Sequence, residues 1–431
     1  MTDRFTRIVD QRYVDGSGNV LQRYQYGYDE DGNRLWRQDL VHTSGHDEHY
    51  EYDSLNRLIR FQRGTLNGSH AITAPILDKT WNLDALGNWT SLYDNLTSTT
   101  TQTRTHNRQN QIEDIDSDSL SYDYNGNLTS ALGLGYTYDA WNRLVGAGDA
   151  EYRYDALGRR AEVVWTGLGV QPAKDFYYSA EWQVLEEWAS GQLYAEQIWS
   201  PLYVDQMIAR FRDADDDGSF DELLYALHDA NYNVTALANY DGATIVERYE
   251  YDPYGTVTYL NEDGSAKTTQ ASAYDWVYLH QGGRYDTNMH LYDFRRRAYS
   301  ADLGRWMQQD PLSCVDGLNL YAYLVSNPTS RRDPMGLSQE GRPPGGESPP
   351  HAPDGYHYVW MWNDPPLPGF ACITRGEVGY WQLRKGRDPR DKGTCTCLCW
   401  NYNTETGEFL PSIHPDLIRI VCYAYGCKCI D

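Results

Sequence analysis

The sequence contains no run of about 18 apolar residues, and its first ten residues, MTDRFTRIVD, have no apolar segment. The first absence excludes a membrane-spanning helix, and the second excludes an ordinary secretory signal peptide at this start. If the protein leaves the cell, we expect another export machine to carry it, or this chain to be part of a longer protein.

Basic residues are scarce. The chain has 37 Lys/Arg against 61 Asp/Glu, a net charge of −24. Residues 338–431 contain only 9 of the basic residues and 11 of the acidic ones. Residues 1–337 therefore carry −22. A charge of this sign and size argues against an accessible nucleic-acid surface.

Cysteine is nearly absent until the end of the chain. Seven of the eight cysteines are Cys372, Cys395, Cys397, Cys399, Cys422, Cys427 and Cys429. The C-x2-C knuckles typical of zinc ribbons are missing. Cysteines two apart on a strand project to one face, which favours disulfides to a neighbouring strand, with metal binding and free thiols as alternatives. We expect three disulfides and one free thiol in an independently folded, oxidised tail.

Tyrosine is abundant instead, with 37 residues or about three times the usual frequency, which favours β-structure. Six units combine an alternating aromatic strand, a turn with Asp, Gly or Asn, and a second strand. They occupy residues 26–35, 50–58, 81–89, 122–128, 136–144 and 152–160. In the fourth unit, Tyr122-Asp-Tyr124-Asn125, the pattern places the turn at Asn125.

Each unit predicts a strand-turn-strand repeat. Asp can accept its own downstream N–H groups at the turn, and Gly or Asn tolerates a positive φ. Alternation places the tyrosines of a unit on one face, so we interpret them as architectural. Sugar binding along exposed aromatic side chains is the alternative. Residues 160–260 lose the short repeat but keep the composition of strands.

The densest motif lies in residues 283–337. Two Asp-Pro steps, Asp310-Pro311 and Asp333-Pro334, enclose an aromatic run and the turn pair Asn327-Pro328. After Leu337 the composition changes at once to a Pro/Gly-rich stretch. A motif at such a boundary indicates a junction between two modules.

The repeats and this motif resemble the Rhs/YD-repeat family over roughly residues 20–337. Residues 227–237 and 248–255 resemble the strand pairs that precede the family's core motif, and residues 283–337 resemble the core itself. The resemblance implies a mainly β fold: a YD-repeat antiparallel β-sheet shell followed by a small cysteine-rich domain. We expect only a partial cocoon, because some 320 residues are too few to close a chamber of the family's kind.

Four domains are predicted. They are a YD-repeat shell over 1–281, a core with a self-cleavage site over 282–337, a Pro/Gly-rich linker over 338–355 and a cysteine-rich effector domain over 356–431. The tail carries no motif of a toxin family that we can identify.

The family resemblance implies the C-terminal portion of a polymorphic toxin, secreted or at the surface of a bacterial cell. Expected partners are the remainder of the shell, a delivery machinery and a small immunity protein. The alternative is a non-catalytic YD-repeat module that binds glycans or partner proteins.

The resemblance also implies self-cleavage between Leu337 and Ser338, an autoproteolytic reaction of the aspartyl type. Asp310 and Asp333 match aspartates of the core motif, and Arg305 matches a basic residue that could orient a carboxylate or hold a strand. Two neighbouring carboxylates can share a proton, so that one activates water and the other protonates the leaving amide. The simpler alternative is that both Asp-Pro steps are only turns.

One position departs from the family pattern. Ser313 stands where the first half of the core motif carries Gly, and a required positive φ there would strain the turn and could misplace Asp310. Asp316 and Asp293 are nearby spare carboxylates.

Residues 213–224 resemble a calcium loop. Carboxylates at alternating positions around a Gly-assisted bend are the ligands that Ca²⁺ prefers, although Leu224 stands where the closing acidic residue is expected. A solvated acidic turn is the alternative, and no cofactor is required by the family. The predicted ligands are Asp213, Asp215, Asp217 and Asp221.

Overall fold

The computed structural model describes residues 1–5, 7–42, 44–167, 172–242 and 244–338 in full, and four later strands by their backbone alone. The chain divides into two compact units, Met1–Gly341 and Arg342–Asp431. The predicted disulfides lie outside the described residues. Within the described part, no helix is both long and apolar enough to cross a membrane.

The first large sheet has ten strands, and each pairs antiparallel with its neighbours in sequence. Its strands are β1 (Asp10–Val14), β2 (Val20–Tyr28), β3 (Arg34–Asp39), β4 (Asp47–Tyr52), β5 (Leu58–Gly64), β6 (Leu77–Leu83), β7 (Trp89–Asp94), β8 (Thr99–His106), β9 (Ile112–Ile115) and β10 (Asp118–Ser119).

The second large sheet continues the same meander through fourteen strands. They are β11 (Ser121–Tyr122), β12 (Leu128–Ala131), β13 (Leu134–Tyr138), β14 (Leu144–Ala147), β15 (Ala150–Tyr154), β16 (Arg160–Trp165), β17 (Lys174–Tyr178), β18 (Val184–Ala189), β19 (Gln192–Trp199), β20 (Met207–Arg212), β21 (Glu222–His228), β22 (Val234–Ala238), β23 (Ile245–Tyr251) and β24 (Val257–Leu260).

The core motif forms a smaller, four-stranded sheet flanked by two short 3₁₀ turns, His280–Gly282 and Leu324–Ser326. Its strands are β25 (Arg284–Asp286), β26 (Leu291–Phe294), β27 (Arg297–Ser300) and β28 (Arg305–Trp306). Beyond it, β29 (Tyr356–Trp362) pairs with β30 (Gly379–Lys385), and β31 (Trp400–Asn403) pairs with β32 (Glu408–Pro411). The prediction of a mainly antiparallel β fold is confirmed.

The repeat owes its turn to one aspartate. Asp53 Oδ1 accepts the N–H groups of Leu55 and Arg57, both at 2.9 Å, and its Oδ2 accepts Arg57 Nε at 2.7 Å. Asn56 takes a φ of 61° and donates its N–H to the Asp53 carbonyl. The pairing register shifts by one residue beside the turn, between Glu51 and Tyr52. The side chain thus fixes both the turn and the register, as the sequence predicts.

The same turn recurs more widely than the sequence indicates. In the fourth unit the turn residue is Asp123, which accepts the N–H groups of Asn125 and Asn127, so the predicted turn at Asn125 is wrong by two positions. The turn also recurs beyond residue 160, where the short repeat is no longer visible in sequence. There Ser179, Asp229 and Asp252 accept the same pair of N–H groups.

Neighbouring turns are bonded to one another. Asn33 donates to Asn56 Oδ1 at 2.8 Å, and Asn127 donates to Asn142 Oδ1 at 2.9 Å. Tyrosine hydroxyls add a second link, since the tyrosine before a turn donates to a carbonyl at the start of an earlier return strand. Such bonds join Tyr52 to Arg34, Tyr154 to Leu144, Tyr178 to Arg160 and Tyr251 to Val234. Except for Tyr124, which is fully exposed, the repeat tyrosines are buried or half-buried, and this supports their architectural interpretation.

The segment that leads into and through the four-stranded sheet supplies many of the largest fully buried side chains. Trp276, Tyr292, Tyr299 and Tyr323 are each at most 1% exposed and belong to one core cluster with Trp81 of the first large sheet. Tyr299 and Tyr323 stack with ring centroids 3.8 Å apart. The core motif therefore fills the interior that the repeats surround.

The first strands of one large sheet contact the last strands of the other. Gln22 of β2 donates to Thr235 of β22 at 2.7 Å. Arg63 of β5 forms ion pairs with Glu48 of its own sheet at 2.8 Å and with Glu250 of β23 at 3.2 Å. We call this contact the seam between the sheets.

Replacing Asp53 by Ala should lower the free energy of unfolding by ~1–2 kcal/mol, because it removes hydrogen bonds to a charged group at one turn. Urea unfolding of the purified protein measures this effect. The control is Asp31→Ala, at an exposed position within the Asp29 turn. An equal loss in both variants would contradict the anchoring role of Asp53.

Candidate active site

Both Asp-Pro steps of the core motif fold into the turn that the repeats use. Asp310 Oδ1 accepts the N–H of Leu312 at 2.8 Å, and Ser313 donates its N–H to the Asp310 carbonyl at 3.0 Å. Asp333 Oδ1 accepts the N–H of Leu337 at 2.9 Å, and Gly336 donates to the Asp333 carbonyl at 3.2 Å. The two steps are thus turns, but the side chains of their aspartates are more buried than those of the six repeat units and have a different partner.

The departure at Ser313 does not prevent this turn. Ser313 has a φ of 62° and Gly336 a φ of 63°, so the position does require a left-handed backbone. Asn56 and Asn142, at the same place in repeat turns, also have a φ of 61°. A residue other than Gly is therefore accommodated there, and the expected displacement of Asp310 is not seen.

One arginine joins the two aspartates. Arg297 NH2 lies 3.1 Å from Asp310 Oδ2 and 3.2 Å from Asp333 Oδ2. The side chains of Arg297 and Asp333 are each 2% exposed and that of Asp310 is 6% exposed. Because both oxygens contact a single nitrogen, the geometry brings the two carboxylates together across one guanidinium group.

Two further contacts fix the Arg297 side chain. Its Nε donates to the Gly336 carbonyl at 2.7 Å, and its guanidinium carbon lies 4.2 Å from the ring centroid of Trp306. The aromatic face favours the cation and holds the plane of the group. Arg297 is thereby anchored both to the carboxylates and to the chain just before Leu337.

Burial dominates the electrostatics of the pair. It raises the pKa of Asp310 to about 7, against the opposing effect of Arg297. Burial also raises the pKa of Asp333, opposed by Arg297 and by the N–H groups of Leu337 and Ser338. Burial thus favours the protonated form of both carboxylates, while the cation that they share favours the ionised form.

Three consecutive arginines hold the segment that ends at Leu337. The Arg295 side chain donates to the Pro334 carbonyl, the Arg296 N–H donates to the Met335 carbonyl at 3.2 Å, and Arg297 donates to Gly336. Gly336 cannot be enlarged, since a Cβ there would lie 2.6 Å from the Phe294 carbonyl oxygen. Leu337 also lines an open cleft of about 600 Å³.

Arg305 was predicted to orient a carboxylate or to hold a strand, and its contacts fit the role of holding a strand. Its NH2 donates to Asn110 O at 2.9 Å and to Asn88 Oδ1 at 3.2 Å, which ties the core motif to two repeat turns. The residue that contacts both aspartates is Arg297, which the sequence reasoning missed. Three adjacent arginines in a part of the chain that carries −22 were the available signal.

The spare carboxylates have other surroundings. Asp293 pairs with Arg160, at 3.3 Å between Oδ2 and Nε, and accepts the N–H of Arg295. Asp316 lines the small pocket that contains Asp310, Arg297 and Asp333, and its charge contributes to the raised pKa of Asp310.

The acidic loop brings together three of its four predicted ligands. Carboxylate oxygens of Asp213, Asp215 and Asp221 lie within 4.8 Å of one another. Asp217 is outside this group, and its Oδ1 accepts the N–H of Ser219 at 2.9 Å. Its charge is the largest cause of the raised pKa of Asp215. Leu224, at the place of the missing ligand, is buried in β21.

Backbone N–H groups of the loop already form hydrogen bonds to two of these carboxylates. Asp213 accepts the N–H groups of Asp217 at 3.1 Å and Gly218 at 2.8 Å, and Asp221 accepts that of Ala214 at 2.8 Å. These bonds are those of an acidic turn, while the three convergent carboxylates suit a hard cation. Calcium binding stays a prediction.

The fold and repeats define a protein of antiparallel YD-repeat sheets that surround an aromatic core motif. No family model matches the sequence. Toxin subunit YenC1 of Yersinia entomophaga is 34% identical over 96 residues, 22% of this chain and 9% of that protein. Toxin protein Tse5 of Pseudomonas aeruginosa is 27% identical over 239 residues, 49% of this chain and 18% of that protein.

Solved structures show the same fold. The Tc holotoxin pore of Photorhabdus luminescens matches with a TM-score of 0.62 and 20% identity, over 78% of this chain and 18% of that chain. A crystal structure of TcdB2-TccC3 matches with a TM-score of 0.62, 21% identity and the same coverage. The predicted relationship to Rhs/YD-repeat proteins is confirmed, since the homologues are Tc and Rhs toxin components. The chain spans less than a fifth of the length of these relatives.

Calcium should bind weakly to the acidic loop, because the twelfth position supplies no carboxylate. Titration calorimetry of the protein with CaCl₂ should show heat that the Asp215→Ala variant loses. Asp31→Ala, which removes an exposed turn aspartate elsewhere, is the control. Equal heats from the wild type and Asp215→Ala would remove the calcium hypothesis.

Replacing Asp310 by Asn should stabilise the protein at pH 8 by about 1–3 kcal/mol. The pKa of Asp310 is about 7 in the fold and near 4 in an unfolded chain, so its stabilising protonation is complete below pH 4 and lost as the pH rises through 7. The amide stays neutral, so the advantage of the variant should shrink towards pH 4. Urea unfolding at several pH values, with Asp31→Asn as the control, measures this; a gain independent of pH would contradict it.

Proposed function

We propose that this chain is the C-terminal portion of an Rhs-type polymorphic toxin, a β-shell carrier that cuts itself between Leu337 and Ser338. The observation that carries the proposal is the buried group Asp310–Arg297–Asp333. Asp333 accepts N–H groups from both residues of the bond in question. The turn aspartates of the six repeat units, such as Asp53 and Asp139, are more exposed and bond to an arginine or asparagine of their own turn instead.

The positions of the two aspartates suggest their roles. Ionised Asp310 takes a proton from water as the water oxygen attacks the Leu337 carbonyl carbon. Protonated Asp333, which faces the Ser338 nitrogen, gives its proton to that nitrogen as the C–N bond breaks. The products are a Leu337 carboxyl group and a Ser338 amine. Asp310 ends protonated and Asp333 ends ionised.

Arg297 serves this reaction as a positioning residue. It keeps both carboxylates within 3.2 Å of one nitrogen and holds the Gly336 carbonyl. Its positive charge also allows one aspartate to remain ionised despite burial. The expected pH dependence is a maximum where the pair holds one proton, with slower cleavage when both aspartates are protonated or both ionised.

The region from Ser338 onward is, in this proposal, the effector that cleavage separates from the carrier. TccC3 in a related crystal structure is described as having a hypervariable C-terminal region. The relatives also belong to multi-subunit toxins, as TcdB2-TccC3 shows. We therefore propose the rest of a shell, a delivery machinery and an immunity protein as partners, and delivery outside the bacterial cell.

The competing function is a non-catalytic module that binds glycans or proteins through the repeats. Its support was the row of aromatic side chains. All the repeat tyrosines except Tyr124 are, however, buried or half-buried, and several donate their hydroxyls to backbone carbonyls. The carrier therefore fits the described residues better.

Intact mass spectrometry of the purified chain tests self-cleavage. The wild type should yield fragments of residues 1–337 and 338–431, with a new N-terminus at Ser338. Asp310→Asn and Asp333→Asn should each slow the reaction at least ~100-fold, since each removes one half of the acid–base pair. Asp293→Asn, which alters a neighbouring carboxylate paired with Arg160, should still cleave.

An intact 431-residue wild-type chain after long incubation at neutral and mildly acidic pH would contradict the proposal and favour the binding module. Cleavage that persists in both Asn variants would instead place the chemistry on other residues. Circular dichroism of each variant confirms that it has folded.

A further inference from the structure

Two buried arginines line one small recess where the core motif meets the first large sheet. Arg104 of β8 is 5% exposed and Arg305 of β28 is 6% exposed. The recess has a volume of about 10 Å³, which leaves room for one water molecule or one small ion. The proposed cleavage reaction uses neither arginine.

The partners of both guanidinium groups are neutral. Arg104 donates to the Leu303 carbonyl at 2.7 Å, to the Asp302 carbonyl at 3.1 Å and to a glutamine side chain. Arg305 donates to a carbonyl and to an asparagine side chain, as described above. Within the described part of the chain neither arginine forms an ion pair, whereas most of the other buried arginines do.

The positive charge of the recess is not balanced from within it. The described residues that line it include Arg104, Arg305 and His106 but no Asp or Glu. Three carboxylates lie near enough for their charge to interact with one of the arginines: Asp84, Asp116 and Asp302. Each of them contacts a backbone N–H group or another side chain instead of a guanidinium group. A buried charge without a counter-charge is costly, so the recess favours an anion.

The recess also offers hydrogen-bond donors. Arg305 NH1 is buried and has no hydrogen-bond partner among the described residues. Burial and the charges of Arg305 and Arg104 lower the pKa of His106 to about 4, so its ring is neutral at pH 7 and has one N–H to donate. Burial and the charge of Arg305 likewise lower the pKa of Arg104 to about 9. The two arginines thus repel each other, and an anion beside them would offset that repulsion.

We propose that this recess binds one monatomic anion of the chloride class, held by Arg305 NH1, by the His106 N–H and by the charge of Arg104. The small volume favours a monatomic anion over a phosphate or a carboxylate ligand. Arg305 belongs to the core motif, whereas Arg104 and His106 belong to β8. The anion therefore fastens the core motif to the first large sheet. Its role is structural, and it is independent of the cleavage reaction.

Thermal unfolding of the full chain in sodium chloride and in sodium gluconate, at equal ionic strength, tests the site. General salt effects act on every variant alike, so the quantity compared is the difference in melting temperature between the two salts. Chloride should be favoured by about 2 °C more in the wild type than in Arg305→Gln or Arg104→Gln, at a concentration about ten times the dissociation constant. Arg248→Gln should behave as the wild type does, because Arg248 is buried without an ion pair among the described residues but does not line the recess.

Diffraction from wild-type crystals soaked in sodium bromide makes the test independent of how the variants fold. Bromide replaces chloride and scatters anomalously, so a bromine peak should lie in the recess, in contact with Arg305 NH1. A water molecule or no density at that place would overturn the proposal. An equal difference between the two salts in the wild type and in folded Arg305→Gln would overturn it as well.

Discussion

A side-chain carboxylate that accepts two N–H groups of its own downstream backbone is the interaction on which this fold depends. Asp53 shows it in full, with the left-handed Asn56 and the one-residue shift of register beside Tyr52. Register decides which side chains of a strand face inward. Each turn therefore determines where the tyrosines of the next unit lie, and the repeated hydroxyl-to-carbonyl bonds then join successive units.

The candidate active site uses the same interaction in a different environment. Asp310 and Asp333 make the backbone contacts of a repeat turn, but they are buried and meet across Arg297. An exposed turn aspartate is ionised and has only a structural role. Burial of two such residues around one cation raises the pKa of both carboxylates. The proposed acid–base pair thus requires no new backbone geometry, only a change in what surrounds the turn.

The sequence was sufficient for the fold because its signals are local. The turn aspartates, the alternation of tyrosines and the left-handed positions all act within a few residues, and even the departure at Ser313 identified a position of positive φ. The errors have the same origin. Asp123 and Asn125 lie two positions apart and both residue types can accept the N–H groups of a turn, so the sequence pattern does not separate them. Ser179 makes the turn without an aspartate.

The site was predicted only in part because its contacts are not local. Asp310 and Asp333 were identified through the family motif, whereas the cation between them depends on how β27 lies against both turns. The same applies to the seam, where Glu250 meets His46 across 204 positions of sequence. No spacing rule relates residues that far apart.

The meander has a consequence for the order of folding. Every strand of the two large sheets pairs with its neighbours in sequence, so each pairing closes only a short loop and costs little chain entropy. The seam contacts close loops of about 200 residues, as between Gln22 and Thr235. Local hairpins can therefore form one after another as the chain emerges from the ribosome, while the seam must wait until β22 and β23 have been made. During synthesis the side chains of the first strands that form the seam are therefore without their partners. They become covered only when the last strands of the second sheet have been made.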